Sequence, residues 1–298
     1  MAKQTSIQGA ALETDKRIVA KDVGLVYKIR SRRKKENRTL TALEHVDIEV
    51  NKGEFYALVG PSGCGKSTFL YILAGLIKKT SGALYINGHE IHGPDLDRGI
   101  IMQQYALFPW RTIRKNVELG LEVKGVKKEE RERIALGFID LVGLSEFADR
   151  YPYELSGGMK QRIAIARALA YDPDVLLMDE PFAAVDEQTR ETLHDELLRI
   201  WEKTNKTIIF VTHSIDEAVF LADRVAVMTP SPGSIKEVVD INLGRPRVSG
   251  HIKSTQAFSM LRHRVWELLQ NSGETADAGA GAAADFDVSE VISESAVL

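Results

Sequence analysis

Gly60-Pro61-Ser62-Gly63-Cys64-Gly65-Lys66-Ser67-Thr68 is the stretch from which the rest of this chain is read. The apolar run Phe55-Tyr56-Ala57-Leu58-Val59 precedes it, and apolar residues at helical spacing follow at Phe69, Leu70, Ile72, Leu73 and Leu76. That pattern predicts strand, glycine-rich loop, helix. Glycines let backbone N–H groups close around an anion, and the helix N-terminus adds partial positive charge. Lys66 can reach the outer phosphates of a nucleoside triphosphate, and the Ser67 hydroxyl can hold Mg²⁺. Nucleotide binding is therefore the first expectation.

Composition narrows the class. The 298 residues carry a formal net charge of -3, which argues against a general nucleic-acid binder. The single cysteine, Cys64, rules out an internal disulfide and sits in the phosphate loop, where its N–H matters more than its thiol. The polar start lacks the apolar core of a signal peptide, and no apolar run approaches the ~20 residues of a membrane span. A cytoplasmic protein is expected.

Strands are expected at Val23–Ile29, Leu40–Val50, Ala83–Ile86 and Arg98–Met102, with Asn87-Gly88 as a turn. The basic run between the first two contains Lys28, Arg30, Arg32, Arg33, Lys34, Lys35 and Arg38, and reads either as a solvated hairpin loop or as a patch for anionic lipid head groups. From Thr112 to about Ala170 the spacing turns helical, at Asn116–Leu121, Lys127–Leu141 and Met159–Ala170. Beyond it, strands Val175–Met178, Thr207–Val211 and Arg224–Met228 alternate with helices Glu187–Thr204 and Ile215–Leu221. Alternation of this kind implies a largely parallel sheet covered on both faces. Ser234–Leu243 reads as an edge strand, and Phe258, Leu261, Val265, Leu268 and Leu269 as one face of a last helix. From Ser272 onward there are six acidic residues and no Lys or Arg, a composition expected to be disordered.

Two further segments carry chemistry. Asp179 and Glu180 end a buried strand, where open α/β sheets place their ligands. Asp179 is suited to the Mg²⁺ shell and Glu180 to polarising a water as general base. Leu155-Ser156-Gly157-Gly158-Met159-Lys160-Gln161-Arg162 opens another helix with a serine and two glycines, a second anion-binding start. One nucleotide needs only one such start at its γ-phosphate, so the excess suggests two chains sharing each nucleotide.

Together with Gln103, Ala184-Val185-Asp186 and His213, these motifs resemble the ATPase subunit of an ABC transporter. The likeness runs from about Ile18 to about Arg247, and Leu155–Arg162 is its most specific part. It implies an α/β P-loop NTPase core with a mostly parallel sheet, an antiparallel β subdomain and a helical signature subdomain at about 104–170. The implied division is a leader (1–17), the ATPase domain (18–247), a helical extension (248–271) and the acidic tail (272–298). It further implies that Tyr27 stacks on adenine and that Gln103 touches Mg²⁺ or the water. Asp186 would lie at a dimer interface, and His213 would contact the γ-phosphate. The family usually has leucine where Val185 stands.

The implied mechanism closes two copies, or this chain and a homologous subunit, head to tail over two Mg²⁺·ATP. Ser156, Gly157 and Gly158 of one then complete the site of Lys66, Ser67, Gln103 and His213 of the other. Without a span of its own, the chain would drive a separate integral permease from the cytoplasmic face of the inner membrane. A periplasmic or lipid-anchored solute-binding protein would be an indirect partner. Phe108-Pro109-Trp110-Arg111-Thr112, Asp149-Arg150-Tyr151-Pro152 and Asp216-Glu217-Ala218 resemble the nitrate, sulfonate and taurine importer group, which also serves bicarbonate. Tyr105–Trp110 reads either as a groove for a permease helix or as core of the helical subdomain. The competing function is a soluble ABC-family ATPase acting on a non-membrane partner; an exporter ATPase is a third reading.

Overall fold

The computed structural model describes residues 15–30 and 37–271. Most of the expected leader, most of the basic run and the acidic tail lie outside the described residues. In chain order the strands and helices begin with β1 (Lys16–Arg30), β2 (Asn37–Asn51), β3 (Phe55–Val59), α1 (Lys66–Leu73), β4 (Ser81–Ile86), β5 (His89–Glu90) and β6 (Arg98–Ile101). Helices α2 (Ile113–Val117), α3 (Leu119–Val123), α4 (Lys128–Leu141) and α5 (Gly157–Ala170) follow. The chain then alternates through β7 (Val175–Asp179), α6 (Glu187–Thr204), β8 (Thr207–Val211), α7 (Ile215–Leu221), β9 (Arg224–Met228) and β10 (Ile235–Asp240). Helices α8 (Ser249–Ile252) and α9 (Gln256–Gln270) end the described chain.

Two sheets form. One has the order β2-β1-β4-β5 and is antiparallel throughout; the other has the order β10-β9-β3-β8-β7-β6, parallel except for the edge strand β10. Strands of the second sheet are apolar on both faces, and their period-2 alternation divides them between two cores. Phe55, Ala57, Leu176, Met178, Ile208 and Phe210 face a core shared with the helices of the second half. Tyr56, Leu58, Val175, Leu177, Ile209 and Val211 face α1 and the antiparallel sheet. Each fully buried large side chain of this kind contributes roughly 1.5–3 kcal/mol.

Register then sets the site. Leu58 and Asp179 both pair with Val211, so the C-terminal ends of β3, β7 and β8 finish level. The phosphate loop, Glu180 and His213 all leave the sheet at that end, where parallel α/β sheets bind ligands.

Three expectations need adjusting. The first strand begins at Lys16, which pairs with Asn51, so the last two residues of the expected leader belong to the sheet. Asp22, with φ 53° at a register shift between Lys21 and Gly24, makes an irregularity that hides the continuity of β1 from period-2 reading. The helix expected at Asn116–Leu121 is two short helices, the first capped by Thr112, whose hydroxyl accepts the Lys115 N–H. The signature helix starts at Gly157 rather than Met159, because Ser156 is its N-cap and the two glycines form its first turn. Helix α5 also packs against β6 and α6, which ties the helical subdomain to the parallel sheet.

Candidate functional site

The phosphate loop curls between β3 and α1 with Gly63 at φ 75° and Gly65 at φ 96°. Gly65 is required twice over: a side chain is strained in the left-handed region, and a Cβ would sit 2.6 Å from Leu43 Cδ2 of the overlying antiparallel sheet. Lys66 is buried, its ammonium donating to the carbonyls of Gly60 (2.9 Å) and Pro61 (3.0 Å) at the rim of the loop. Burial pushes the Cys64 thiol up, so it stays protonated and unreactive at neutral pH.

A cavity of about 560 Å³ opens over this loop, within the size range of nucleotide sites. Ser62, Gly63, Gly65, Lys66, Ser67 and Thr68 form its floor, with Glu180 and His213 at one end and Tyr27, Leu40, Ala42 and Ser231 around the rest. Gly60, Pro61 and Cys64 complete the loop around the Lys66 amine without lining the cavity. Tyr27 is half-buried; burial raises its phenol above 10.0, offset in part by the Thr68 hydroxyl.

Behind the floor, the Ser67 hydroxyl donates to Asp179 Oδ1 at 2.8 Å, and the Tyr71 hydroxyl to Oδ2 at 2.9 Å. Burial raises the Asp179 carboxyl, with both hydrogen bonds pulling the other way. This juxtaposition of hydroxyl and carboxylate is an all-oxygen donor set on the phosphate side, which fits Mg²⁺, a hard cation held by few protein ligands. Glu180 adopts φ 43°, an unfavourable region for a carboxylate residue, held by its N–H bond to Val211 O at 3.0 Å. The turn aims its side chain back at the cavity, where Oε2 lies 3.1 Å from His213 Nδ1.

The remaining sequence-derived residues do not line the cavity. Gln103 is exposed in the turn after β6. Ser156 caps α5, accepting from Met159 N–H at 3.3 Å, and Asp186 caps α6, accepting from Thr189 N–H at 3.0 Å. These two helix starts are neighbours: a Cβ on Gly158 would meet Thr189 Cγ2 at 2.8 Å. Ser156, Gly157 and Asp186 are all exposed, and none of them lines their own chain's cavity.

Several contributors escaped the sequence reading. Tyr71 could have been found, being one helical turn beyond Ser67 on the same face. Arg167 donates to the carbonyls of Tyr105 (2.9 Å) and Ala106 (2.6 Å), both with positive φ, and so ties α5 to the turn after Gln103. Asn116, fully buried, bonds the N–H and carbonyl of Phe108 and the carbonyls of Arg111 and Thr112. Around that knot, Leu107 and Phe108 are partly buried, while Trp110 is 71% exposed. Val185 is buried against the core and is tolerated where leucine is usual.

The ABC transporter family profile matches residues 43–183. The chain is 49% identical over 205 residues to a nitrate import ATP-binding protein of Synechocystis sp., covering 69% of this chain and 77% of that protein. It is 43% identical to a taurine import ATP-binding protein of Rhizobium johnstonii (81% and 94% covered). It is 44% identical to an aliphatic sulfonates import ATP-binding protein of Bacillus cereus (80% and 92% covered). Among solved structures it resembles a dimeric ATP-binding cassette in a post-hydrolysis state bound to ADP and phosphate, with a TM-score of 0.65 and 34% identity. That match covers 76% of this chain and all of the other.

Proposed function

This chain belongs to the ABC transporter ATP-binding family, and from that premise we propose that it drives uptake of nitrate-, sulfonate-, taurine- or bicarbonate-type solutes through a separate permease. It is an ABC-type ATPase. The observation that carries the residue assignments is the cavity in which Lys66, Ser67, Glu180 and His213 converge while Ser156 and Asp186 stand outside it. A second copy or a homologous subunit, docked head to tail, supplies its signature serine and glycines to the open end.

Loop N–H groups and Lys66 hold the phosphates, and Tyr27 packs against the base. Ser67, Asp179 and Gln103 would hold Mg²⁺, and the ion would supply neutralisation of charge on the phosphates. Glu180 orients and deprotonates the attacking water, and His213, fixed beside it, donates toward the γ-phosphate. Catalysis is then positioning plus charge stabilisation. Loss of the γ-phosphate removes the bridge between copies, and reopening is passed to the permease through the surface around Trp110. The names of the relatives support nitrate, taurine and sulfonates within that class; the absence of any described helix long and apolar enough to cross a membrane agrees with a separate permease. A solute-binding protein would deliver solute on the far side, and this chain would sit on the cytoplasmic face.

The test is Mg²⁺-dependent ATP turnover by the purified chain and its Glu180→Gln variant. The variant is expected to lose about 100-fold or more in turnover while still binding ATP, the range for a removed general base. Wild-type turnover by the variant would remove Glu180 from the role.

A further inference from the structure

Glu217 sits on α7, one helical turn beyond His213, and has no part in the mechanism above. It is buried, yet it is the most connected carboxylate near the site. Its Oε2 accepts from the Thr212 hydroxyl at 2.5 Å. The same hydroxyl accepts the Ser214 N–H at 3.0 Å, and the Ser214 hydroxyl accepts the Glu217 N–H at 3.3 Å. Both residues flanking His213 are thereby tied to Glu217 in one closed ring of hydrogen bonds.

The other oxygen faces α6. Oε1 lies 3.2 Å from His194 Nε2 and 3.9 Å from Arg190 Nε. The His194 ring packs against Phe182 and Phe220, and its Nδ1 has no partner, so the ring's one polar contact is Nε2–H donating to Glu217. Arg190 in turn donates to the Val185 carbonyl at 2.7 Å, in the segment that joins Glu180 to Asp186. One buried carboxylate thus links the two segments that end at the phosphate site, one carrying His213 and one carrying Glu180 and Asp186. A cavity of about 30 Å³, lined by Glu180, Ala183, Arg190, Thr212, His213 and Glu217, lies among them and has room for about one water.

We propose that Glu217 is a positioning residue for ATP hydrolysis, holding His213 against Glu180 through Thr212 and the 180–186 segment through Arg190. This rests on the ATPase reading above. A carboxylate at this depth is tolerated only with its partners in place, so the bonds that satisfy it also fix the backbone around His213. Without it, Thr212 keeps its N–H bond to Leu58 O and Ser214 its backbone-anchored bonds, but the Thr212 hydroxyl loses the carboxylate acceptor that orients it.

The experiment compares full-length wild type, Glu217→Gln and Thr212→Val for Mg²⁺·ATP turnover, for ATP binding and for the same changes in a His213→Ala background. Misplacing a reacting group by a fraction of an ångström should lower kcat about tenfold in both single variants, with KM for ATP within about twofold. In the His213→Ala background the same changes should cost no further activity, which a merely structural role would not produce. Thr212→Val removes one hydroxyl near-isosterically, so the test stands even if Glu217→Gln folds poorly. Turnover per folded molecule within about twofold of wild type in both variants, or losses that multiply with that of His213→Ala, would overturn the assignment. Absence of turnover in the wild type itself would instead strike the ATPase reading.

Discussion

Glu217 also makes a prediction about stability. Burial alone would raise its carboxyl, but the hydrogen bonds from His194 and Thr212 and the charges of His194 and Arg190 outweigh it, leaving it below its ordinary 4.5. A folded-state value below the unfolded one adds stability that is fully present above about pH 4.5 and is lost as pH falls through the folded value. The melting temperature of wild type should therefore exceed that of Glu217→Gln at pH 6–7, with the gap closing in acid; a gap independent of pH would contradict the ion-pair account. The spacing of Ser214 and Glu217 is local, but the partners His194 and Arg190 come from α6, and nothing in the sequence brings that helix against the turn after β8. Lys66, Ser67, Asp179 and Glu180 were legible, since each stands where a buried strand ends or a helix begins. Tyr27 needed the resemblance, and its place in the cavity depends on the fold of the antiparallel sheet over the loop.

Elements behave as their ends dictate. Helix α6 runs Glu187–Thr204 as the spacing predicts, because Asp186 caps it and Asn205, at φ 49°, stops it. The signature helix begins two residues before its apolar pattern, since two glycines give no periodicity to read. Helix α2 begins before the expected Asn116, because Thr112 caps it and Asn116 is buried within it. Asn116 anchors the segment that precedes the helix through four hydrogen bonds, all to backbone. Asn116→Ala should cost about 3 kcal/mol in denaturant unfolding, the scale for stranding buried backbone groups. A cost under about 0.5 kcal/mol would mean those groups are satisfied by water instead.

For the whole molecule, the separation of the two anion-binding helix starts is the decisive geometry. One start floors the cavity and the other does not line it on the same chain, so the proposed site would be completed by another copy. With Cys64→Ala as background, Ser62→Cys and Ser156→Cys should crosslink between chains when Mg²⁺·ATP is present and Glu180→Gln prevents turnover. They should not crosslink within one chain. A monomeric product, or none at all, would refute the shared-site arrangement. Such a dimer would also account for exposed Asp186 beside the signature start, at the seam where a partner would dock.

Local sequence alone determined that a phosphate loop joins a buried strand to a helix, that the sheet is mainly parallel, and that carboxylates end one of its strands. Those facts follow from spacing, glycine and capping residues, which act within a few positions of themselves. Tertiary structure alone decided that β3, β7 and β8 end level, that an antiparallel sheet roofs the loop with Leu43, and that His194 and Arg190 meet Thr212 at the buried Glu217 carboxylate. These depend on strand register and on the packing of helices distant in sequence, which become defined only when the two cores close.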